Sequence, residues 1–163
     1  MKTINAELPI AFIFDPINHK RACYSMDGGE NWMNHGEYCE RMAKAILGYK
    51  PTKDSVAFDK GHDLPELQAS IKSYKCGLSD CKDMPKDPKE FLKSFWKRET
   101  AKMFIYVCDH GDYMNLYLLN RSEFRKFVNR FFKWEVTSTR HNFRMYTCDN
   151  KVERWLHENF PVK

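Results

Sequence analysis

Asp63-Leu64-Pro65-Glu66-Leu67-Gln68-Ala69-Ser70-Ile71-Lys72-Ser73 is the stretch on which the reading of this chain turns. Taken as a β-strand over residues 66 to 72, it sends alternate side chains to opposite faces. Leu67, Ala69 and Ile71 point one way; Glu66, Gln68, Ser70 and Lys72 point the other. An acid, an amide, a hydroxyl and a lysine on one face are the parts of half a metal-dependent site, and also the parts of an ordinary solvated strand. Mg²⁺ (or Mn²⁺) at a phosphodiester needs one or two carboxylates, with waters and substrate oxygens filling the other positions. A lysine nearby offsets charge that develops in the transition state. Asp63 and Glu66 supply the acids and Lys72 the cation. The six steps from Glu66 to Lys72 span about 20 Å of extended chain, too far for both to touch one ion. Lys72 therefore works beside Ser70 or Gln68, unless a bulge or a tight turn at Pro65 folds the chain.

Outward from this stretch, the periodicity predicts a mixed α/β domain. Upstream, Ile10 to Phe14 reads as an apolar strand closed by Asp15-Pro16. A helix follows from about His35 to Gly48, with Cys39, Met42, Ala43, Ile46 and Leu47 on its apolar stripe. Val56 to Phe58 is a second short strand. Downstream, Asp87-Pro88-Lys89-Glu90 is an N-cap, a first-turn proline and a capping acid for a helix to about Arg98. Met103 to Cys108 pairs with Tyr113 to Leu119 across the turn Asp109-His110-Gly111-Asp112. Asn120 caps a helix striped with Phe124, Phe127, Val128 and Phe131. Strands near Trp134 to Thr137 and Asn142 to Thr147 precede a last helix over roughly 150 to 160.

Composition narrows the class. The chain has 163 residues, enough for a core that needs no disulfide or structural metal, and shows no repeat or linker. Residues 1 to 163 read as a single domain. Aromatics at 15% and hydrophobic residues at 42% exclude a disordered chain. No run reaches the length of a membrane span and the N-terminus lacks a signal pattern, so the expected location is cytoplasmic, with reduced cysteines. The net charge of +5 is compatible with a polyanionic partner without requiring one.

A helix acid completes the candidate set. Glu40 lies at the border of the apolar stripe of the first predicted helix and Glu37 nearer its solvent side. A helix carrying Glu, short strands, an Asp and a polar-faced strand ending in Lys together resemble the PD-(D/E)XK restriction-endonuclease-like superfamily, in particular small endonuclease-like proteins of phages and mobile elements. The resemblance covers roughly residues 35 to 120. It implies a central mixed sheet flanked by helices, a restriction-endonuclease-like core, and Mg²⁺-dependent hydrolysis of DNA. It makes Asp63 the metal-binding aspartate and Lys72 the motif lysine. Glu66 or Gln68 stands for the second metal-side ligand, and Glu37 or Glu40 for the helix acid. Ser70 occupies the position, two before the lysine, where the motif places an acid. A non-cutting relative that binds DNA or a host protein, such as a phage inhibitor of a host defence protein, is the competing expectation. A homodimer is compatible with either.

Basic residues point the same way. Lys86, Lys89, Lys93, Lys97, Arg98 and Lys102 surround one predicted helix. Arg121, Arg125, Lys126, Arg130 and Lys133 cover another, followed by Arg140 and Arg144. The second group has few balancing acids and is the better candidate for salt-sensitive contact with phosphates. Trp134, His141, Phe143 and Tyr146 are placed either to stack on bases or to fill a core. Cys76 and Cys81, with His62 and His110, form only one loose pair where a structural zinc site shows two tight ones. Cys108 with His110 reads either as a Cys-His nucleophile arrangement or, at i and i+2 on a strand, as two unremarkable residues.

Overall fold

The computed structural model describes residues 1–7, 24, 33–49, 62–73, 76–78, 85–137, 141–145 and 150–162. The strands expected at Ile10 to Phe14 and Val56 to Phe58 lie outside these, as do Arg140, Tyr146 and Cys81.

The described residues form a mixed α/β structure with four α-helices and a four-stranded mixed sheet. Its strands are β1 (Lys2–Glu7), β2 (Ala69–Ser73), β3 (Met103–Asp109) and β4 (Tyr113–Asn120), in the order β1-β4-β3-β2. β2 runs parallel to β3, and the other neighbours are antiparallel. The helices are α1 (His35–Ile46), α2 (Pro88–Arg98), α3 (Arg121–Phe131) and α4 (Asn150–Asn159). A two-stranded ribbon, β5 (Lys133–Val136) and β6 (His141–Arg144), adds to the second face.

Helix boundaries follow from their caps. Asn34, Asp87 and Asn120 each accept a hydrogen bond from the backbone N–H three residues on, and at Asn120 the Glu123 side chain returns the bond. Pro88 sits where a missing N–H costs nothing.

Strand alternation divides the core into two layers. Ala69, Ile105, Val107, Met114, Leu116 and Leu118 face α1 and pack on Tyr38, Cys39, Met42 and Ala43. Phe104, Tyr106, Cys108, Tyr117 and Leu119 face the other way, against Phe91, Phe95 and Trp96 of α2, Phe124, Phe127 and Val128 of α3, and Val152 and Leu156 of α4. Trp134 and Phe143 bring the ribbon onto this second layer, with ring centroids 5.3 and 5.9 Å from Phe91. Segment 76–78 pairs with β6, and Gly77 passes so close to Asn142 that a Cβ would meet its Nδ2 at 2.5 Å. No helix among the described residues is long and apolar enough to cross a membrane.

The expected strand over 66 to 72 is corrected. Pro65–Leu67 is a 3₁₀ turn, Gln68 adopts a left-handed conformation (φ 48°), and extended pairing begins only at Ala69. Pro65 fixes φ and has no N–H to give to a ladder. Leu64 and Ala69 close the loop with reciprocal backbone bonds of 3.0 and 3.1 Å. Glu66 and Gln68 are thereby removed from the face that carries Ser70 and Lys72.

Candidate functional site

Asp63 comes back onto β2. Its Oδ2 accepts the Ile71 N–H at 2.7 Å and the Ser70 hydroxyl at 3.3 Å. Ser70 is buried, and Lys72, two residues along, shares its side of the strand. The 3₁₀ turn thereby returns the Asp63 carboxylate to the strand at Ser70, two residues before Lys72. Glu66 and Gln68 are exposed in the turn itself.

The helix acids lie elsewhere. α1 packs over Ala69 and Ile71, so Glu37 and Glu40 are on the side of the sheet opposite Ser70 and Lys72. Glu37 pairs with Arg41 at 2.9 Å and Glu40 with the buried Lys44 at 3.1 Å, both i, i+4 within the helix. The structure thus joins Asp63 to Ser70 and does not bring Glu37, Glu40 or Glu66 to them as a cluster of metal-ligand atoms.

The basic residues divide by role. Arg121 donates to the carbonyl oxygens of Glu99 (2.6 Å), Ala101 (3.3 Å) and Trp96, capping the C-terminal end of α2. Arg125 and Arg121 both lie 5.2 Å from the centre of the Trp96 ring. Arg125, Lys126, Arg130 and Lys133 are exposed, and Arg144 is half-buried opposite Lys133 in the ribbon. Between α3 and α4, Arg130 joins Lys151, Arg154, Trp155 and Glu158 around a shallow depression. Arg121→Ala should therefore lower stability by about 1.5–3 kcal/mol, the range for hydrogen bonds from a charged group. Arg125→Ala and Arg130→Ala should each stay within about 0.5 kcal/mol of wild type. Urea unfolding of the three variants checks this; equal effects would show that Arg121 is not a structural cap.

Two further polar clusters flank the β3–β4 turn. On the α1 side, His35 Nε2 lies 3.0 Å from Asp109 Oδ2 and 3.4 Å from Cys39 Sγ. Asp109 Oδ1 accepts the Gly111 N–H at 2.9 Å, a short turn for which Gly111 adopts φ +95°. Burial pushes the Asp109 carboxyl up, but the His35 and Gly111 hydrogen bonds and the charges of His35 and His110 hold it below the ordinary carboxylate value. Tyr38 is pushed the other way, first by burial and then by the Asp109 charge. Its ring stacks on Tyr24 at 5.0 Å, and Tyr24 lies 5.0 Å from the His35 ring.

On the opposite side, Glu153 of α4 reaches the end of β4. Its Oε1 accepts from Asn115 Nδ2 (2.7 Å) and the Tyr117 hydroxyl (2.8 Å), while Oε2 is 2.9 Å from His110 Nε2. Burial raises this carboxyl, and the bonds from Asn115, Tyr117 and His110, with the His110 charge, outweigh it and lower the value. His157 Nε2 lies 3.3 Å from the Tyr117 hydroxyl, and His110 stacks on Tyr113 at 4.5 Å.

Neither cluster follows from reading the chain alone. Cys39 sits on an apolar stripe and reads as core, yet His35 and Cys39 are an i, i+4 pair on one helix face. That spacing was the available signal. Asp109 is 74 residues from His35, and Glu153 is 38 from Asn115. No protein-family model, curated protein or solved structure matches the chain.

Proposed function

We propose that the chain is a Mg²⁺-dependent endodeoxyribonuclease with a restriction-endonuclease-like core, acting where Asp63 meets β2 at Ser70, two residues before Lys72. The observation that carries this reading is the Asp63 carboxylate held against Ser70, beside the strand that presents Lys72. The parallel β2–β3 pair, joined through a connection that includes α2, supports it.

The residues present fit Mg²⁺ in a restricted way. One carboxylate and the Ser70 hydroxyl suit an ion that keeps several waters and takes other ligands from phosphate oxygens; they do not make an all-protein cage. Asp63 would hold the ion, which supplies polarisation of the phosphoryl group and an activated water. Lys72 places a positive charge beside the oxygens that become more negative as the bond breaks. Arg125, Lys126 and Arg130 on α3, with Lys151 and Arg154 on α4, offer cations for the DNA backbone.

The second reading is a nuclease-like module that binds DNA or a host protein without cutting. It is favoured by one specific feature: Asp63 Oδ2 already accepts a backbone N–H and a hydroxyl, and Ser70 stands where a second acid belongs.

Both readings meet in one experiment. Plasmid, single-stranded, branched and base-modified DNA are incubated with the protein and Mg²⁺ or Mn²⁺. The first reading expects cleavage that drops about 10²–10³-fold in Lys72→Ala, the range for removing one transition-state contact. Asp63→Asn should lose as much while keeping an acceptor for Ile71 N–H, so its melting temperature should hold. Salt-dependent binding with every form left uncut supports the second reading. A chain that neither cuts nor binds any DNA form removes the nuclease proposal and leaves a protein partner to be sought.

A further inference from the structure

We infer that His35, Cys39 and Asp109 form a binding site for a borderline-soft divalent cation of the Zn²⁺ type, separate from the Asp63–Lys72 region. The three residues each offer one ligand atom, and these atoms lie within 4.8 Å of one another.

The spacing matches a metal polyhedron. With metal–nitrogen and metal–oxygen bonds of about 2.0–2.1 Å and a metal–sulfur bond of about 2.3 Å, a tetrahedron places N and S about 3.5 Å apart and N and O about 3.3 Å apart. The observed separations from His35 Nε2 are 3.4 Å to Cys39 Sγ and 3.0 Å to Asp109 Oδ2. Nε2 is therefore the shared vertex: both of its edges lie within a few tenths of an ångström of the tetrahedral values, and the remaining edge, Cys39 Sγ to Asp109, is within 4.8 Å.

The donor set selects the metal class. A thiolate and an imidazole suit Zn²⁺ and its neighbours and disfavour Mg²⁺, which takes oxygen ligands. Among the described residues the site has three protein ligands, which leave one position of a tetrahedron open, the arrangement of zinc sites that accept a water or a substrate atom.

The surroundings are built in the same sense. Gly111 N–H binds Asp109 Oδ1 and so orients Oδ2 toward the histidine. Outer contacts of this kind orient ligating carboxylates in metal sites. The Cys39 side chain is buried, whereas His35 retains 17% side-chain exposure, so an ion can enter past the imidazole. Tyr24 and Tyr38 stack beside the cluster and form an aromatic wall.

Position separates this site from the proposed cleavage site. Ser70, which holds Asp63, pairs with Phe104, and Asp109 lies at the far end of the same strand β3. The five steps between Phe104 and Asp109 amount to about 17 Å. One ion cannot serve both, so the inference stands whether or not the chain cuts DNA.

The test uses the full chain stripped by a chelator and titrated with Co²⁺, then with Zn²⁺. A thiolate-to-cobalt charge-transfer band and tetrahedral d–d bands are expected, displaced by Zn²⁺. Cys39→Ala should abolish the charge-transfer band, and Cys76→Ala should leave it intact. Asp109→Asn retains an acceptor for Gly111 N–H and serves if Cys39→Ala does not fold. It should weaken binding by more than the ~10–100-fold typical of an outer-shell change. A wild-type chain with no cobalt band, or a band unchanged in both Cys39→Ala and Asp109→Asn, overturns the site and reduces the cluster to a His35–Asp109 ion pair.

Discussion

Phe124→Ala should cost about 3–5 kcal/mol, the range for removing a buried aromatic ring. Phe124 is fully buried and stacks on Phe104 with centroids 4.1 Å apart and planes 8° from parallel. Trp96 meets both rings edge-on, 6.1 Å from Phe124 and 6.0 Å from Phe104. The ring therefore joins α3, β3 and α2 at one point, and its loss leaves a cavity lined by side chains that three elements hold in place. At roughly 2–4 °C per kcal/mol for a chain of this size, the melting temperature should fall by about 6–20 °C. Phe131 lies on the same helix but is only partly buried, and Phe131→Ala should cost less. Urea denaturation with an unchanged slope provides the measurement. A Phe124→Ala cost no larger than that of Phe131→Ala would remove the stacked pair from its central place in the second layer.

Glu153→Gln should cost about 2–3 kcal/mol at neutral pH, and the deficit should shrink in acid. The carboxylate accepts three contacts, from Asn115, Tyr117 and His110, and is buried. An amide keeps an acceptor on one side only and turns a donor toward His110. Hydrogen bonds to a charged group are worth about 1.5–3 kcal/mol, and a buried donor left without its acceptor adds to the loss. The pH dependence follows from the lowered folded value of Glu153. A carboxyl depressed in the folded state contributes fully above its unfolded value, near ~4.3 for glutamate, and that contribution disappears as pH falls through the folded value. Asp109 is depressed in the same direction, so the acid limb of wild type carries both groups. Glu153→Gln should lose stability less steeply than wild type below about pH 4. Chemical denaturation at pH 7 and at pH 3 measures both parts. Parallel curves for the two proteins would show that Glu153 does not titrate as an anchored carboxylate.

The helices and the central hairpin were legible because each carries a local signal. Asp87-Pro88 and Asn120 mark helix starts by cap chemistry, and the apolar stripes of α2, α3 and α4 fall where the core is. β3 and β4 are buried, apolar and joined by a turn whose glycine takes a positive φ. β1 was not legible. Lys2–Glu7 has no strong alternation, and it becomes a strand only because β4 offers it a full register from Lys2↔Leu118 to Glu7↔Tyr113. The stretch after Asp63 was half legible: apolar alternation at Leu67, Ala69 and Ile71 is real, since all three pack toward α1. It hid a proline-led turn, because a 3₁₀ turn followed by a left-handed residue can return the chain to the same face. Asp63 and Lys72 were singled out by residue type, and the turn is what brings the Asp63 carboxylate back to β2 at Ser70 and Ile71. The clusters at Asp109 and Glu153 depend on contacts between distant segments, which no local pattern encodes.

The β3–β4 turn has a mechanical consequence. Asp109 and His110 are consecutive, yet one is fastened to α1 through His35 and the other to α4 through Glu153. A single peptide unit thus acts as a rivet through the sheet, with a head on each side. That unit is planar, so the two points from which the side chains depart keep a fixed separation. The α1 side and the α4 side of the sheet are therefore tied to one corner through adjacent residues of a single turn.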